Sequence, residues 1–130
     1  MNSSQQASVE RLKKLFAAID DKDVSRFLAF LADDARFRFG NLPPCEGKAA
    51  VGAAVGAFFD AIKGCRHEVD SSWEHADSIV CHGRVTYTRH DGSRLAVPFA
   101  NVLMLRNGLI GDYLIFADTS ALFGGAGKSA

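Results

Sequence analysis

Apolar residues recur at helical spacing through the first half of the chain. After Ser8, a favourable N-cap residue, Val9, Leu12 and Ile19 fall on one helical face. The charged run at 20–23 interrupts this pattern and caps a short second helix. A third helix is predicted over about residues 48–63, and Gly64 follows it as a C-terminal stop.

The pattern has a period of two elsewhere, which predicts strands. One short strand covers residues 36–39, between the second and third helices. The remaining strands are predicted over about 66–75, 78–90, 94–106 and 109–118. Asp91-Gly92 and Asn107-Gly108 are typical of tight hairpin turns and join the last three strands.

This order of elements predicts one α+β domain, in which helices cover one side of an antiparallel sheet. We place the domain at residues 8–123. Residues 1–7 are expected to form a flexible N-terminus and residues 124–130 a disordered tail.

The strand over residues 94–106 is apolar on both alternations, which predicts that both of its faces are covered. Asn101 is a polar residue inside this run. A buried amide without a partner costs about 1–3 kcal/mol. Asn101 is therefore expected either to be hydrogen-bonded within the core or to line a cavity.

Composition narrows the class of protein. The 130 residues include 15 basic and 15 acidic side chains, so the formal net charge is zero. A neutral chain gives no electrostatic reason to expect nucleic acid as a partner, and it removes one barrier to self-association. No apolar run is long enough to cross a membrane, and the first residues do not resemble a secretory signal.

Three cysteines, at positions 45, 65 and 81, are too few and too widely spaced for a disulfide framework. Unpaired thiols suit a reducing compartment, so we expect a cytoplasmic protein. The four histidines, His67, His75, His82 and His90, lack the spacing of metal ligands. Neither a metal site nor another cofactor is expected.

The strand at 78–90 presents an open choice between its two faces. His82, Arg84 and Thr86 share one alternation, which the pattern alone assigns to solvent. A polar cavity inside the fold would reverse that assignment. Trp73 is either a core aromatic or a pocket wall, and Asp118 either closes the last strand or serves as a pocket carboxylate.

Several local strings resemble the nuclear transport factor 2-like superfamily, and more narrowly its SnoaL-like branch. The resemblance covers about residues 8–123. The matching segments are the helix Val9–Ile19 with Asp20-Asp21-Lys22-Asp23, Leu31-Ala32-Asp33-Asp34-Ala35, Pro43-Pro44 before Gly47-Lys48, the hairpin Tyr87–Gly92, Pro98-Phe99-Ala100-Asn101-Val102, and Asn107-Gly108-Leu109-Ile110 leading to Asp118.

This resemblance implies a cone, in which a strongly curved antiparallel sheet wraps around three N-terminal helices and encloses an apolar pocket. It also implies a homodimer. The superfamily includes ketosteroid isomerase, limonene epoxide hydrolase, polyketide cyclases and non-enzymatic binding modules, so it implies a fold more narrowly than an activity.

The catalytic residues of two members are not matched. The base of ketosteroid isomerase aligns with Phe39 and its oxyanion tyrosine with Leu15, while its oxyanion acid aligns with Asn101, which keeps a hydrogen-bond donor. The arginine–aspartate pair of the epoxide hydrolase aligns with His82 and Arg84. Its second aspartate aligns with Ile115.

The register implied by the resemblance turns His82 and Arg84 toward the pocket, beside Asn101. We therefore predict that Arg84 and Asn101 hold a ligand oxygen and that His82 acts as acid or base. The predicted ligand is a small, mostly apolar cyclic molecule bearing a carbonyl or carboxylate. The remaining residues predicted to bind it are His67, Trp73, Thr86, Phe99, Tyr113, Ile115 and Asp118.

A second hypothesis is a non-catalytic module that binds a ligand or forms a dimer. The chain has ten phenylalanines, and residues such as Phe16, Phe39 and Phe58 are bulky enough to fill the pocket. A well-formed cavity with convergent polar groups would favour the first hypothesis, and a filled one the second.

Overall fold

The computed structural model describes residues 3–123 and shows four helices and six strands within that range. In chain order the elements are α1 (Ser3–Asp20), α2 (Val24–Leu28), β1 (Leu31–Phe39), β2 (Cys45–Glu46), α3 (Lys48–Ala61), β3 (Gly64–His75), β4 (Ser78–Thr88), β5 (Arg94–Arg106), β6 (Leu109–Ala117) and α4 (Ser120–Phe123). No helix among these residues is long and apolar enough to cross a membrane. The predicted tail at 124–130 lies outside the described residues.

The strands form one curved sheet in the order β2-β1-β6-β5-β4-β3. Every neighbouring pair is antiparallel except β1 and β6, which run parallel. The antiparallel sheet that the sequence predicts therefore holds for every pair except this one. β1 pairs with β2 on one side and with the last strand on the other, and the chain between β1 and β6 serves as the long crossover that a parallel pair needs. The α+β class and the cone are confirmed.

The first helix begins earlier than predicted. It starts at Ser3, so Ser8 lies inside it and is not its N-cap. Ser8 is buried, and its hydroxyl donates to Glu74 Oε1 at 2.9 Å on β3. The N-cap predicted for the second helix is confirmed, because the Asp23 side chain accepts from the Arg26 backbone N–H.

The hairpin between β5 and β6 turns where the sequence predicts. Asn107 and Gly108 have φ angles of +54° and +80°. Both angles lie in the left-handed region, which a two-residue turn of this kind requires and which glycine adopts without steric cost. A β-bulge between Met104 and Leu105 then shifts the β5–β6 register by one residue, so that Asn101 pairs with Ile115.

The core lies between the helices and the inner face of the sheet. Packed there are Leu12, Leu15 and Phe16 of α1, Phe27 of α2, Val51, Val55 and Phe59 of α3, and Phe37, Ile79, Val85, Phe99, Leu103 and Tyr113 of the strands. The other face of β5 is only partly covered within the chain, since Val102 is half-buried and Met104 is exposed. The expectation that both faces are covered fails for the single chain.

A β-bulge interrupts β3 and changes which residues face inward. Val69 pairs with Gly83, and Ser71 pairs with His82, so Asp70 is the extra residue. A Cβ atom at position 83 would overlap the backbone carbonyl of Glu68, and glycine is therefore required for this close approach. Beyond the bulge the alternation is reversed, which carries Trp73 to the outer face.

Candidate functional site

A cavity of about 140 Å³ lies inside the cone, between the helices and the inner face of the sheet. Its wall is predominantly apolar. The lining residues are Ile19, Phe27, Phe37, Phe39, Leu42, Pro43, Cys45, Ala54, Val55, Phe58, Phe59, Cys65, His67, Val85, Tyr87, Phe99, Asn101, Tyr113 and Ile115. Leu42 is 62% exposed and also lines the cavity, so its loop borders the opening. The phenylalanines narrow the cavity without filling it.

His67 is the imidazole in the cavity wall, and Asp20 holds it by two hydrogen bonds. Asp20 is the last residue of α1, and its Oδ2 atom accepts from the His67 backbone N–H at 2.9 Å. Its Oδ1 atom lies 2.7 Å from His67 Nδ1. A carboxylate only accepts, so the proton of a neutral ring lies on Nδ1 and the lone pair on Nε2. Asp20 thereby fixes both the orientation and the tautomer of the ring.

Aromatic packing restricts the same ring further. Phe16 of α1 stacks on His67 with ring centroids 4.6 Å apart, and Phe99 of β5 meets it edge-on at 5.2 Å. The side chain of His67 is 11% exposed and that of Asp20 is 24% exposed. Asp20 lines a separate groove of about 560 Å³ between α1 and β3, and His67 lines both spaces. Asp20 can therefore act on a cavity ligand only through His67.

Cys65 completes a cluster with these two residues. Its thiol lies 3.7 Å from Asp20 Oδ1, and the ligand atoms of all three side chains lie within 4.8 Å of one another. This combination could hold a metal ion, which histidine spacing did not suggest. Burial and the Asp20 carboxylate, however, raise the pKa of the Cys65 thiol to about 12. A metal binds the thiolate, so metal binding here would have to displace the proton of Cys65.

Asn101 lies on β5, also in the cavity wall, and is only 2% exposed. Its Nδ2 atom donates to the Tyr113 hydroxyl at 3.5 Å, whereas its Oδ1 atom has no hydrogen-bond partner among residues 3–123. Burial raises the pKa of both Tyr87 and Tyr113, so both phenols stay protonated. The sequence predicted that Asn101 is either hydrogen-bonded within the core or lines a cavity. Both hold, because the amide makes one weak hydrogen bond in the core and also lies in the cavity wall.

The predicted cluster of His82, Arg84 and Asn101 does not form. Cys81 pairs with Asn101 and His82 pairs with Ala100, so His82 and Asn101 lie on opposite faces of the sheet. His82 and Arg84 are exposed, and Thr86 is half-buried on the same outer face. The alternation of polar and apolar residues correctly predicted that these side chains face outward. The register implied by the family resemblance predicted that His82 and Arg84 face the pocket, and that prediction was wrong.

Two other predicted ligand-binding residues also lie away from the cavity. Trp73 is 54% exposed on the outer face, where it stacks on His82 with ring centroids 5.6 Å apart. Asp118 is exposed, and its Oδ1 accepts from the Ser120 backbone N–H at the start of α4. This hydrogen bond lowers the pKa of Asp118. The bulge in β3 explains the position of Trp73, and Asp118 closes the last strand.

Four predicted ligand-binding residues do line the cavity, namely His67, Phe99, Tyr113 and Ile115. Their contact with a ligand stays a prediction. Sequence reasoning missed Asp20, which was assigned only to the end of the first helix. The available signal was the pair Cys65 and His67, two residues apart on one strand face, but nothing local connects them to Asp20.

Comparison with known proteins gives one family match. A family model described as a SnoaL-like domain matches residues 12–113. No functionally curated protein matches the sequence significantly.

Solved structures show the same fold. An NTF2-like protein of unknown function from Burkholderia pseudomallei K96243 is 22% identical, with a TM-score of 0.79 over 94% of this chain and 95% of that one. A protein from Jannaschia sp. CCS1 named as a SnoaL-like polyketide cyclase is 19% identical, with a TM-score of 0.77 over 88% and 87%. TerC, co-crystallised with polyporic acid, is 19% identical, with a TM-score of 0.75 over 88% and 93%.

The buried thiols predict a loss of stability at alkaline pH. Burial raises the pKa of Cys65 from 9.0 to about 12 and that of Cys81 from 9.0 to about 11. The unfolded chain therefore loses these protons first, so the stabilising effect is complete below pH 9 and is lost as pH rises through the folded values. At pH 10, each thiol should lower the free energy of unfolding by about 1.4 kcal/mol.

Urea unfolding at pH 8 and pH 10 measures this loss, with the double variant Cys65→Ala, Cys81→Ala as the comparison. Between pH 8 and pH 10, the free energy of unfolding should fall by about 3 kcal/mol less in the variant than in the original protein. An equal loss in both proteins would show that the thiols ionise normally in the fold.

Proposed function

The chain belongs to the SnoaL-like domain family, and from that premise we propose that it binds a small, mostly apolar cyclic molecule and transfers a proton on it. His67 is the acid–base group. The observation that carries this proposal is the placement of His67 in the wall of an apolar cavity, with one ring nitrogen hydrogen-bonded to Asp20. His67 takes the role that the sequence predicted for His82.

The hydrogen bonds of His67 support a role as a base, beyond that of a packed aromatic ring. Asp20 occupies Nδ1, which leaves Nε2 as the nitrogen able to accept a proton from a ligand. Once the ring is protonated, the neighbouring carboxylate stabilises the imidazolium and the ring can return the proton. Asp20 is a positioning residue in this scheme, because it does not line the cavity.

The size of the cavity limits the ligand. About 140 Å³ is close to the volume of an engineered protein cavity that binds benzene, about 150 Å³, so the space suits a single ring. Similarity to a protein named as a polyketide cyclase and to one crystallised with polyporic acid supports a small-molecule ligand. The alternative is a module that binds such a ligand without turnover.

Proton transfer can be tested with 3-cyclohexen-1-one, a one-ring ketone that isomerises to 2-cyclohexen-1-one when a base removes a proton from C2 and returns it to C4. The protein should accelerate this reaction, followed by absorbance of the conjugated product. His67→Phe keeps the stack on Phe16 but removes the base, so it should lower kcat by about 10²–10⁴-fold.

Asp20→Asn tests the positioning role, since it should lower kcat while leaving KM within about twofold. His75→Phe is the matched control, because His75 is an exposed histidine of the same strand and should leave the rate unchanged. Isomerisation that is unaffected by His67→Phe would contradict the proposal. Ring binding without any turnover would favour the non-catalytic module.

We also propose that the protein is a homodimer formed through the outer face of the sheet. Trp73, Met104 and Phe116 are 54%, 44% and 56% exposed on that face. Val80, Val102 and Leu114 lie in one row with Trp73 through the strand register, which makes the apolar strip continuous across four strands. A strip of this kind favours association, and zero net charge does not oppose it.

Sedimentation at micromolar concentration should show a species of about twice the 14.0 kDa chain mass. Phe116→Glu should convert it to the monomer, because a charge would be buried beside the apolar strip in the proposed interface. Leu109→Glu is the control, since Leu109 is also exposed but lies at the tip of the β5–β6 hairpin. A monomer before any substitution would contradict the dimer.

We infer that the protein resides in the cytoplasm. All three cysteines are unpaired in the structure, and Cys81 is buried. Unpaired thiols persist most readily in a reducing compartment.

A further inference from the structure

The Oδ1 atom of Asn101 is a hydrogen-bond acceptor without a partner in an otherwise apolar environment. Asn101 is 2% exposed and lines the cavity, and no donor among the described residues reaches this oxygen. Buried carbonyl oxygens are nearly always hydrogen-bonded, because leaving one unpaired is costly. An orphaned oxygen at a cavity wall therefore indicates that the missing donor comes from the occupant of the cavity.

The other end of the amide is already engaged. Nδ2 donates to the Tyr113 hydroxyl at 3.5 Å, which leaves Oδ1 as the atom of the amide without a partner among the described residues. The family resemblance implied the opposite use, in which this position donates to a ligand oxygen. The geometry gives Asn101 the role of acceptor.

We infer that Asn101 Oδ1 accepts a hydrogen bond from a hydroxyl group on the ring of the ligand, so that the ligand is a phenol or an enol. This inference rests on the proposed function, because it specifies the ligand of the same cavity. It also fits the chemistry proposed there: when His67 takes a proton from the carbon beside a ring carbonyl and returns that same proton to the carbonyl oxygen, the product is an enol. The hydroxyl of that enol supplies the donor that Asn101 lacks.

Phe39, Phe58 and Phe99 supply much of the wall around the ring of the ligand, and Asn101 Oδ1 is the acceptor in that wall that lacks a partner among the described residues. A wall that can form few hydrogen bonds makes the Asn101 contact selective. A site that hydrogen-bonds a hydroxyl rejects an analogue without one, because the protein group is then left unpaired.

Binding of phenol and toluene tests the inference, since the two rings have nearly the same size and only phenol carries a donor. Dissociation constants for both probes are measured with the protein and with Asn101→Leu. Comparing the ratio of the two constants between the proteins cancels the different hydration of the probes. The preference for phenol over toluene should fall by about tenfold or more in Asn101→Leu.

A second variant and a third probe show whether Asn101 Oδ1 is the acceptor. His67→Phe should keep the preference for phenol, because the imidazole is not the acceptor in question, while it removes the isomerisation proposed above. Benzaldehyde carries only an acceptor, so its affinity relative to toluene should be the same in the original protein and in Asn101→Leu. A fall in the benzaldehyde preference in Asn101→Leu would overturn the inference by showing that the amide presents Nδ2 to the ligand.

An unchanged phenol preference in Asn101→Leu would also overturn the inference and would leave the role of His67 standing. Absence of isomerisation by the original protein, with its phenol preference unchanged, would contradict the proposed function and leave the hydroxyl contact intact. Toluene binding by Asn101→Leu shows that the variant is folded. If that variant does not fold, the structure of the original protein with bound phenol decides, because the phenol oxygen must lie within about 3.5 Å of Oδ1.

Discussion

The two hydrogen bonds from Asp20 to His67 join the end of α1 to the edge strand β3, and the arrangement of the site depends on them. One bond holds the backbone of β3 and the other holds the imidazole, so a single carboxylate fixes both the strand and the ring. Hydrogen bonds to a charged group contribute about 1.5–3 kcal/mol each. They hold His67 in the wall of a mostly apolar cavity, where Phe16 and Phe99 pack against the ring.

Several side chains in the cavity wall could take part in a reaction, and burial decides which of them can ionise near pH 7. The thiol of Cys65 and the phenols of Tyr87 and Tyr113 have raised pKa values and stay neutral. They can donate hydrogen bonds but cannot act as anionic nucleophiles near pH 7. His67 and Asn101 remain as the base and the acceptor. A low dielectric environment strengthens the few polar contacts that these two residues can make.

The fold was largely predictable because its signals are local. The Asn107-Gly108 turn and the period of two predict where β5 and β6 lie in the sequence. The polar alternation of β4 assigns His82 and Arg84 to the outer face. The site was less predictable because its key contacts are not local. Asp20 lies 47 residues from His67 in the chain, and no spacing rule connects them. Trp73 was misplaced because the bulge at Asp70 depends on a close backbone approach at Gly83.

The tautomer of His67 tests its role as the base most directly. Long-range proton–nitrogen correlation spectra of the histidine rings distinguish a protonated nitrogen from one that carries a lone pair. For the neutral ring of His67, we predict the proton on Nδ1, held by Asp20, and the lone pair on Nε2. A neutral ring with its proton on Nε2 would leave no base facing the cavity and would contradict this role.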